Sequence, residues 1–425
     1  MPWFAKILLA TSTVLMGTFI GPLSDEPAAA ATASLSGTTI PPAAQIVDAG
    51  EGVWTVDMYG ICYRNGVRAG GCGDVAQLLY YQGSIYADTK SYGWWQFEGN
   101  YWTQIAASPI APSPIPPSAS GRWFGPTSVW NTPIPANVQV MSYSTSAISA
   151  YAALVGSNYG LNMNLDFWTP AYVEAPSGTP TTTVSWSIWH LYHVPLTADV
   201  QKAASYFASK GDSDSKVCLY SDDLGVFFDL EYVSYNGSGI SVGAGAVNSA
   251  TGAGWWDNSL GPWITATGAS LCGGIIRPSE WAAGVIPHAL AIIWPHSLAL
   301  ANTPVFPATT TDGGGANPYV DIPEGSLLQL DPTMTDAQWL ALGVSSADLP
   351  IVHALQIYGG YIMDGTGGAA AIAFQAGLGA SASLYPGAGP LPHAILSHLR
   401  VIAGPSPSSV APLDSRLTMS TYISQ

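Results

Sequence analysis

Residues 75–105 read VAQLLYYQGSIYADTKSYGWWQFEGNYWTQI, and this stretch decides the fold class. Short runs rich in aromatic and β-branched residues are broken at Gln82-Gly83 and Glu98-Gly99, dipeptides that suit tight hairpin turns. Strands are expected at 75–80, 84–87, 93–97 and 101–105. Working back through the Asn65-Gly66 turn adds strands at 53–58 and 61–63. A unit of about 60 residues is short for a lone core. Cys62 and Cys72 offer a disulfide to staple it.

Moving outward from this unit, the composition changes twice. Residues 33–45 form a low-complexity segment rich in Ser, Thr, Ala and Pro, and residues 107–120 (ASPIAPSPIPPSAS) form a Pro-rich linker that favours polyproline geometry. The small module therefore spans 46–106 and the main domain 121–425. Gly and Pro punctuate β-branched and aromatic runs throughout the main domain, so it is expected to be all-β. The expected form is a jelly-roll-like β-sandwich with a few peripheral helices. Helices are expected at 197–210, with Val200, Ala203, Ala204 and Phe207 at helical spacing, and at 335–342, which opens on a Thr335-x-x-Gln338 capping box and closes at Gly343.

The N-terminus carries an export signal over 1–32. Lys6 supplies the positive charge, 7–21 the apolar region and Ala28 to Ala31 the small residues of a cleavage site. The mature chain is expected outside the cytoplasm, secreted or periplasmic, with no membrane association after cleavage. A local pairing of the four cysteines gives Cys62–Cys72 and Cys218–Cys272, out of three possible connectivities. No C-x-x-C or H-x-x-x-H spacing occurs, so neither a metal site nor a cofactor is expected. A structural calcium cannot be read from sequence, and neither can the oligomeric state.

With 27 acidic against 11 basic residues, the net charge is −16. Nucleic acids and anionic membrane surfaces need clustered Lys and Arg, so they are poor partners. Sixteen Trp and 21 Tyr in a chain that is only 9% charged suit a different partner, a polysaccharide. Aromatic faces cover the apolar C–H face of a sugar ring while neighbouring polar groups read its hydroxyls.

The runs PPAAQIVDAGEGVWTV (41–56) and LLYYQGSIYADTKSYGWWQFEGNYWTQI (78–105) resemble a small β-module that precedes catalytic domains in secreted bacterial glycoside hydrolases. The resemblance covers roughly 40–106 and departs from that pattern at Cys62 and Cys72. It implies an accessory domain of a carbohydrate-active protein. Trp94, Trp95, Tyr101 and Trp102 are the candidates for its sugar-contacting face, although neighbours on one strand point to opposite sides. The main domain, through RWFGPTSVWNTPIP (122–135), CGGIIRPSEWAAGVIPHALAI (272–292), IPEGSLLQLDP (322–332) and VHALQIYGGYIMD (352–364), is similar to a family of secreted soil-bacterial proteins that names no reaction.

Hydrolysis of a glycosidic bond needs two carboxyl groups, one protonated and one ionised. Asp257 follows Trp255 and Trp256 in GAGWWDNSLGPW (252–263), a Gly-rich turn ending at Trp263, and is the leading candidate; the indoles would stack on sugar. Asp229 and Glu231 lie two apart on one strand and so share a face. Glu280 and His288 flank EWAAGVIPHAL (280–290), with Arg277 positioned to form an ion pair with Glu280. Asp364 opens the loop DGTGG (364–368). The expected activity is hydrolysis of a neutral polysaccharide. The alternatives are a non-catalytic glycan-binding or envelope protein and a polysaccharide lyase.

Overall fold

A computed structural model describes residues 33–34, 38–40, 43–81, 83–105, 123–157, 159–236 and 239–425. The export signal (1–32), the whole of the linker expected at 107–120, and Gln82 lie outside the described residues. The chain divides into two compact units, 1–106 and 107–425.

In the first unit the strands Thr38–Ile40, Val75–Tyr81, Ser84–Thr89, Gly93–Glu98 and Tyr101–Gln104 form a five-stranded antiparallel sheet. Thr38–Ile40 belongs to the stretch expected to be low-complexity spacer. It pairs with Val75–Tyr81 because Ile40 supplies a buried apolar side chain at the sheet edge. Ile46–Val47, Val53–Val56, Cys62–Arg64 and Val67–Arg68 form a second sheet. Asn65 and Gly66 both have positive φ, 52° and 76°, as a type I′ hairpin turn requires. Trp54, Cys62, Leu78, Ile85 and Ala87 make the core, with Phe97 and Trp102 against it and the Cys62–Cys72 disulfide buried within it.

The described residues taken together are mostly β, with 32% in strands and 19% in helices, and all of the helices lie in the second unit. A six-stranded mixed sheet runs in the order Asn162–Asn164, Ala371–Ala373, Leu290–Pro295, Gly360–Thr366, Leu327–Leu330, Leu399–Ile402. The strand Leu290–Pro295 alternates between two cores. Leu290, Ile292 and Trp294 join one core cluster with Ala147, Tyr151, Ile351 and Leu355, while Ala291 and Ile293 join another.

A four-stranded sheet, Ala171–Ala175, Val217–Ser221, Val226–Glu231 and Ala244–Ser249, contributes to that second cluster. The Cys218–Cys272 disulfide ties its second strand to the segment leading into the larger sheet. Three strand pairs are parallel, Asn162–Asn164 with Ala371–Ala373, Ala171–Ala175 with Val217–Ser221, and Leu290–Pro295 with Gly360–Thr366. An antiparallel jelly roll has no such pairings.

The helix Ala198–Lys210 is capped by Thr197, whose hydroxyl accepts from the Val200 amide, and it buries Val200, Ala203, Ala204 and Phe207. Asp336–Ala341 begins with the expected Thr335–Gln338 capping box. Two further helices, Ser144–Val155 and Leu349–Ile357, escape a reading by periodicity. The first is an Ala- and Ser-rich run with little contrast between its faces. The second is apolar nearly all round because it packs on the sheet.

Candidate functional site

The loop expected to carry the chemistry is built differently. Trp255 and Trp256 are wholly buried, and their indole N–H groups donate to the carbonyls of Thr267 and Pro262. Trp255 stacks on Trp130 at 5.2 Å. No face of either ring is open to a sugar, so both are core residues, and the apolar area they bury explains why. Asp257 caps a 3-10 turn, Asn258–Leu260, by accepting from the Ser259 amide at 3.0 Å and the Ser259 hydroxyl at 2.5 Å. That is the geometry of an Asp turn residue. Trp263 alone stays exposed.

Glu280 also has structural work. Its carboxylate accepts from the Arg277 backbone amide at 2.9 Å, completing a capping box for the helix Pro278–Ala283. It is ion-paired with the Arg277 guanidinium and lies 3.2 Å from His288 Nε2. Burial opposes ionisation, but His288 and Arg277 outweigh it and hold the carboxyl at about 2, too low for a proton donor. His288 uses Nδ1 to donate to the Ala289 carbonyl at 2.8 Å and is buried, a satisfied core histidine.

Asp229 and Glu231 do share a face, but it is an interior one. Asp229 is wholly buried and accepts from the Ser270 hydroxyl, the Leu271 amide and the Asn248 amide group. Burial raises it to about 7 against these hydrogen bonds. It sits beside the Cys218–Cys272 bridge, pairing in register with Cys218.

Glu231, two residues on, reaches a different environment. Lys216, at the head of the strand Val217–Ser221, places its ammonium 2.8 Å from Asp364, 3.2 Å from Glu231 and 3.5 Å from Asp214. Burial works against the charge on Lys216, yet Asp364, Glu231 and Asp214 together hold it well above its ordinary value. Burial raises Glu231 despite the nearby ammonium. The second oxygen of Asp364 accepts from the Ala266 and Gly365 amides at 3.2 Å. The structure thus joins two expected site residues, Glu231 and Asp364, through a lysine that was not among the candidates.

The strand Leu327–Leu330 brings a further acid to this place. Leu327 pairs with Tyr361, and Ile362 donates its amide to the Ser326 carbonyl. Gly325 also donates its amide to the Ile362 carbonyl, a one-residue bulge beyond the paired strand, and Glu324 next to it feels the charges of Asp312 and Asp364. Glu324 is wholly buried, its Oε2 accepts from the Asp312 amide at 3.2 Å, and its Oε1 has no hydrogen-bond partner. Burial raises it to about 8, helped by the carboxyls of Asp312 and Asp364. Asp312 itself is exposed, and a Cβ at Gly365 would stand 2.7 Å from its Oδ1.

Tyr232 marks the rim. It follows Glu231, takes the left-handed conformation at φ 56°, and keeps its side chain 52% exposed while its backbone amide donates to the Asp214 carbonyl at 2.9 Å. A non-glycine residue held there is strained, and such strain concentrates at functional sites. Glu231 and burial raise its phenol, with Asp214 and Asp364 adding to the effect.

In the first unit the hairpin register separates the four aromatic candidates. Trp95 and Trp102 share the face of Ala87 and Phe97. Trp102 donates to the Ala69 carbonyl and packs 5.1 Å from Phe97. Trp102 packs on the core, while Trp95 on the same face is half-buried. Trp94 and Tyr101 share the opposite face with Tyr86, Asp88, Gln96 and Thr103. Tyr101 is 63% exposed there.

The sequence does hold a signal for the missed residues. With only 11 Lys and Arg in the chain, a lysine heading an apolar strand is unusual, and so is a lone Glu between Pro323 and Gly325. Compared with protein-family models, curated proteins and solved structures, the chain matches none.

Proposed function

We propose that this is a secreted carbohydrate-active enzyme that hydrolyses glycosidic bonds in a polysaccharide lacking anionic groups, at the cluster of Glu324, Asp312 and Asp364. One observation carries this reading. A buried carboxyl, Glu324, retains its proton up to about 8 beside an exposed one, Asp312, while a third, Asp364, is paired with Lys216. Glycoside hydrolysis needs that division between a protonated and an ionised carboxyl.

In this reading the proton held by Glu324 reaches the glycosidic oxygen by way of exposed Asp312 as the C–O bond breaks. Asp364, fixed by Lys216 and two backbone amides, serves the opposite role of base or nucleophile. Tyr232 offers a ring at the rim. Trp94, Tyr86 and Tyr101 form a second glycan surface on the module. The main domain is read as sandwich-like because Phe228 and Val247 of one sheet share a core cluster with Ala291 and Tyr361 of the other. Secretion rests on the export signal and on two disulfides, which persist in oxidising compartments.

The test is turnover of a glycan panel by the full mature chain and by Glu324→Gln. Hydrolysis appears as new reducing ends and falls by about a hundredfold or more in the variant. Ultraviolet-absorbing unsaturated products would make the protein a lyase. Binding without either signal would leave only the glycan-binding reading.

A further inference from the structure

The loop that leads into Lys216 also holds an exposed indole. Trp168 has φ 52° and is 58% exposed. A bulky residue in the left-handed region is an outlier, at a place glycine would occupy without strain. Two hydrogen bonds keep it there. Its amide donates to Asp212 Oδ2 at 3.0 Å, and its carbonyl accepts from the Asn164 side-chain amide at 3.2 Å. Asp212 Oδ1 in turn accepts from the Asp214 and Ser215 amides at 2.9 and 3.3 Å, immediately before Lys216. The ring so fixed buries little, so this framework secures the presentation of an indole to solvent and not a core contact. Phe167, 37% exposed, stands 6.3 Å from it, and half-buried Tyr206 lies nearly parallel to Phe167 at 6.4 Å with the Lys210 ammonium over its own ring.

We propose that Trp168 and Phe167 form a sugar-binding subsite of the main domain, on which an uncharged pyranose of the polysaccharide rests with its C–H face against the indole. The ligand class rests on the glycosidic reading above, but the binding test does not need catalysis. The neighbouring carboxylates are engaged on both oxygens, Asp212 as described and Asp166 by the Gly379 amide and the Ser381 hydroxyl. What the patch offers is therefore ring faces, which suit the apolar side of a sugar and not an ion. The rival occupant is a second copy of this chain. A stable dimer needs about 800 Å² per partner, whereas rings of about 150–250 Å² each, roughly half covered, open on the order of 300 Å². The patch also shares its framework with the carboxyl cluster, because one loop sets Trp168 through Asp212 and Glu231 through Lys216.

The experiment follows the Trp168 indole N–H resonance of the full mature chain, identified by its absence from Trp168→Gly, as hexasaccharides of β-1,4-linked glucose, mannose and N-acetylglucosamine are added. At least one of them is expected to shift the resonance saturably, with half-saturation altered by no more than about twofold between low salt and about 0.5 M, since no charge pair forms. Phe167→Ala should weaken that half-saturation by about threefold or more. Trp168→Gly should melt within about 3 °C of the wild type, because the indole is exposed and glycine accepts φ 52°. A resonance unmoved by all three hexasaccharides, a response abolished by salt, or a Trp168→Gly chain that unfolds would overturn the proposal. A shift on raising protein concentration alone would also overturn it, by seating a second copy on the patch. Cleavage of a glycan with the Trp168 resonance unmoved overturns this proposal and leaves the enzyme reading standing. A saturable shift with no chain cleaved does the reverse.

Discussion

Lys216 and Asp364 lie 148 positions apart in the chain, and their side chains meet at 2.8 Å. The first heads a strand of the four-stranded sheet and the second belongs to a strand of the six-stranded sheet. Their pair therefore stitches the two sheets at one point, where the acids also gather. Replacing Lys216 by Met would leave Asp214, Glu231 and Asp364 facing one another without a cation. Breaking a buried pair in this way costs about 3–5 kcal/mol, to be read from denaturant midpoints. The loss should shrink at acidic pH, where the orphaned carboxyls take up protons. A loss independent of pH would mean that packing of the lysine stem, not its charge, matters.

Stability of the wild type should fall as the medium becomes alkaline. Burial raises Asp229 from 3.8 to about 7, Glu324 from 4.5 to about 8 and Asp414 from 3.8 to about 6. Between the lower and upper value of each, the unfolded chain has released a proton that the native chain keeps, so stability declines as pH rises through that window. Glu280 works in the opposite direction. Held at about 2 instead of 4.5, its contribution is complete above 4.5 and disappears as pH falls toward 2. The combined expectation is a maximum near pH 4–5 and a melting temperature lower by on the order of 5 °C at pH 8. Thermal unfolding across pH 2–9 checks it (a range spanning about the cited values), and a melting temperature that rises from pH 5 to 8 would contradict it.

The module and the main domain were legible to different degrees, for a physical reason. In the module, strand alternation is local. Residues such as Ile85, Ala87 and Phe97 point inward at every second position, and turns such as Asn65-Gly66 announce themselves through positive φ. In the main domain the six-stranded sheet is mixed and covered on both faces, so Leu290–Pro295 reads as a continuous apolar run that shows neither its partners nor their direction. Trp255 and Trp256 illustrate the same limit, because composition cannot tell an indole in a core from one on a binding face. The carboxyl cluster depends on strand order across a hundred or more residues. Asp364 and Glu231 were recognisable as strand acids, whereas their convergence on Lys216 is a property of topology.

The two faces of the module sheet give a paired expectation. Trp102→Ala removes an indole that packs on Phe97 and Trp54 and donates to the Ala69 carbonyl. It should cost about 3 kcal/mol or more, enough to unfold so small a core. Trp94→Ala lies on the opposite face and should leave the module folded while weakening its retention on an insoluble glycan by several-fold, roughly the 1 kcal/mol scale of one ring contact. Near-ultraviolet circular dichroism and pull-down on the polymer separate the two effects. Equal unfolding by both variants would place Trp94 in the core as well.

Gly365 offers the sharpest test of the carboxyl pair. An Ala there would set its Cβ 2.7 Å from Asp312 Oδ1, closer than real contacts allow, so one of the two must give way. Asp312 is the exposed end of a flexible side chain, and moving it is cheap, so Gly365→Ala should change stability by no more than about 1 kcal/mol. Displacing Asp312 withdraws a carboxyl that helps raise Glu324. The Glu324 titration, followed by carboxyl ¹³C NMR, should therefore move down from about 8. In turnover assays the substitution should cost about tenfold in wild type and nothing further in an Asp312→Asn background, because the group it displaces is already neutral there. Additive losses in the double mutant, or a Glu324 titration that stays in place, would show that Asp312 and Glu324 do not act as one acid.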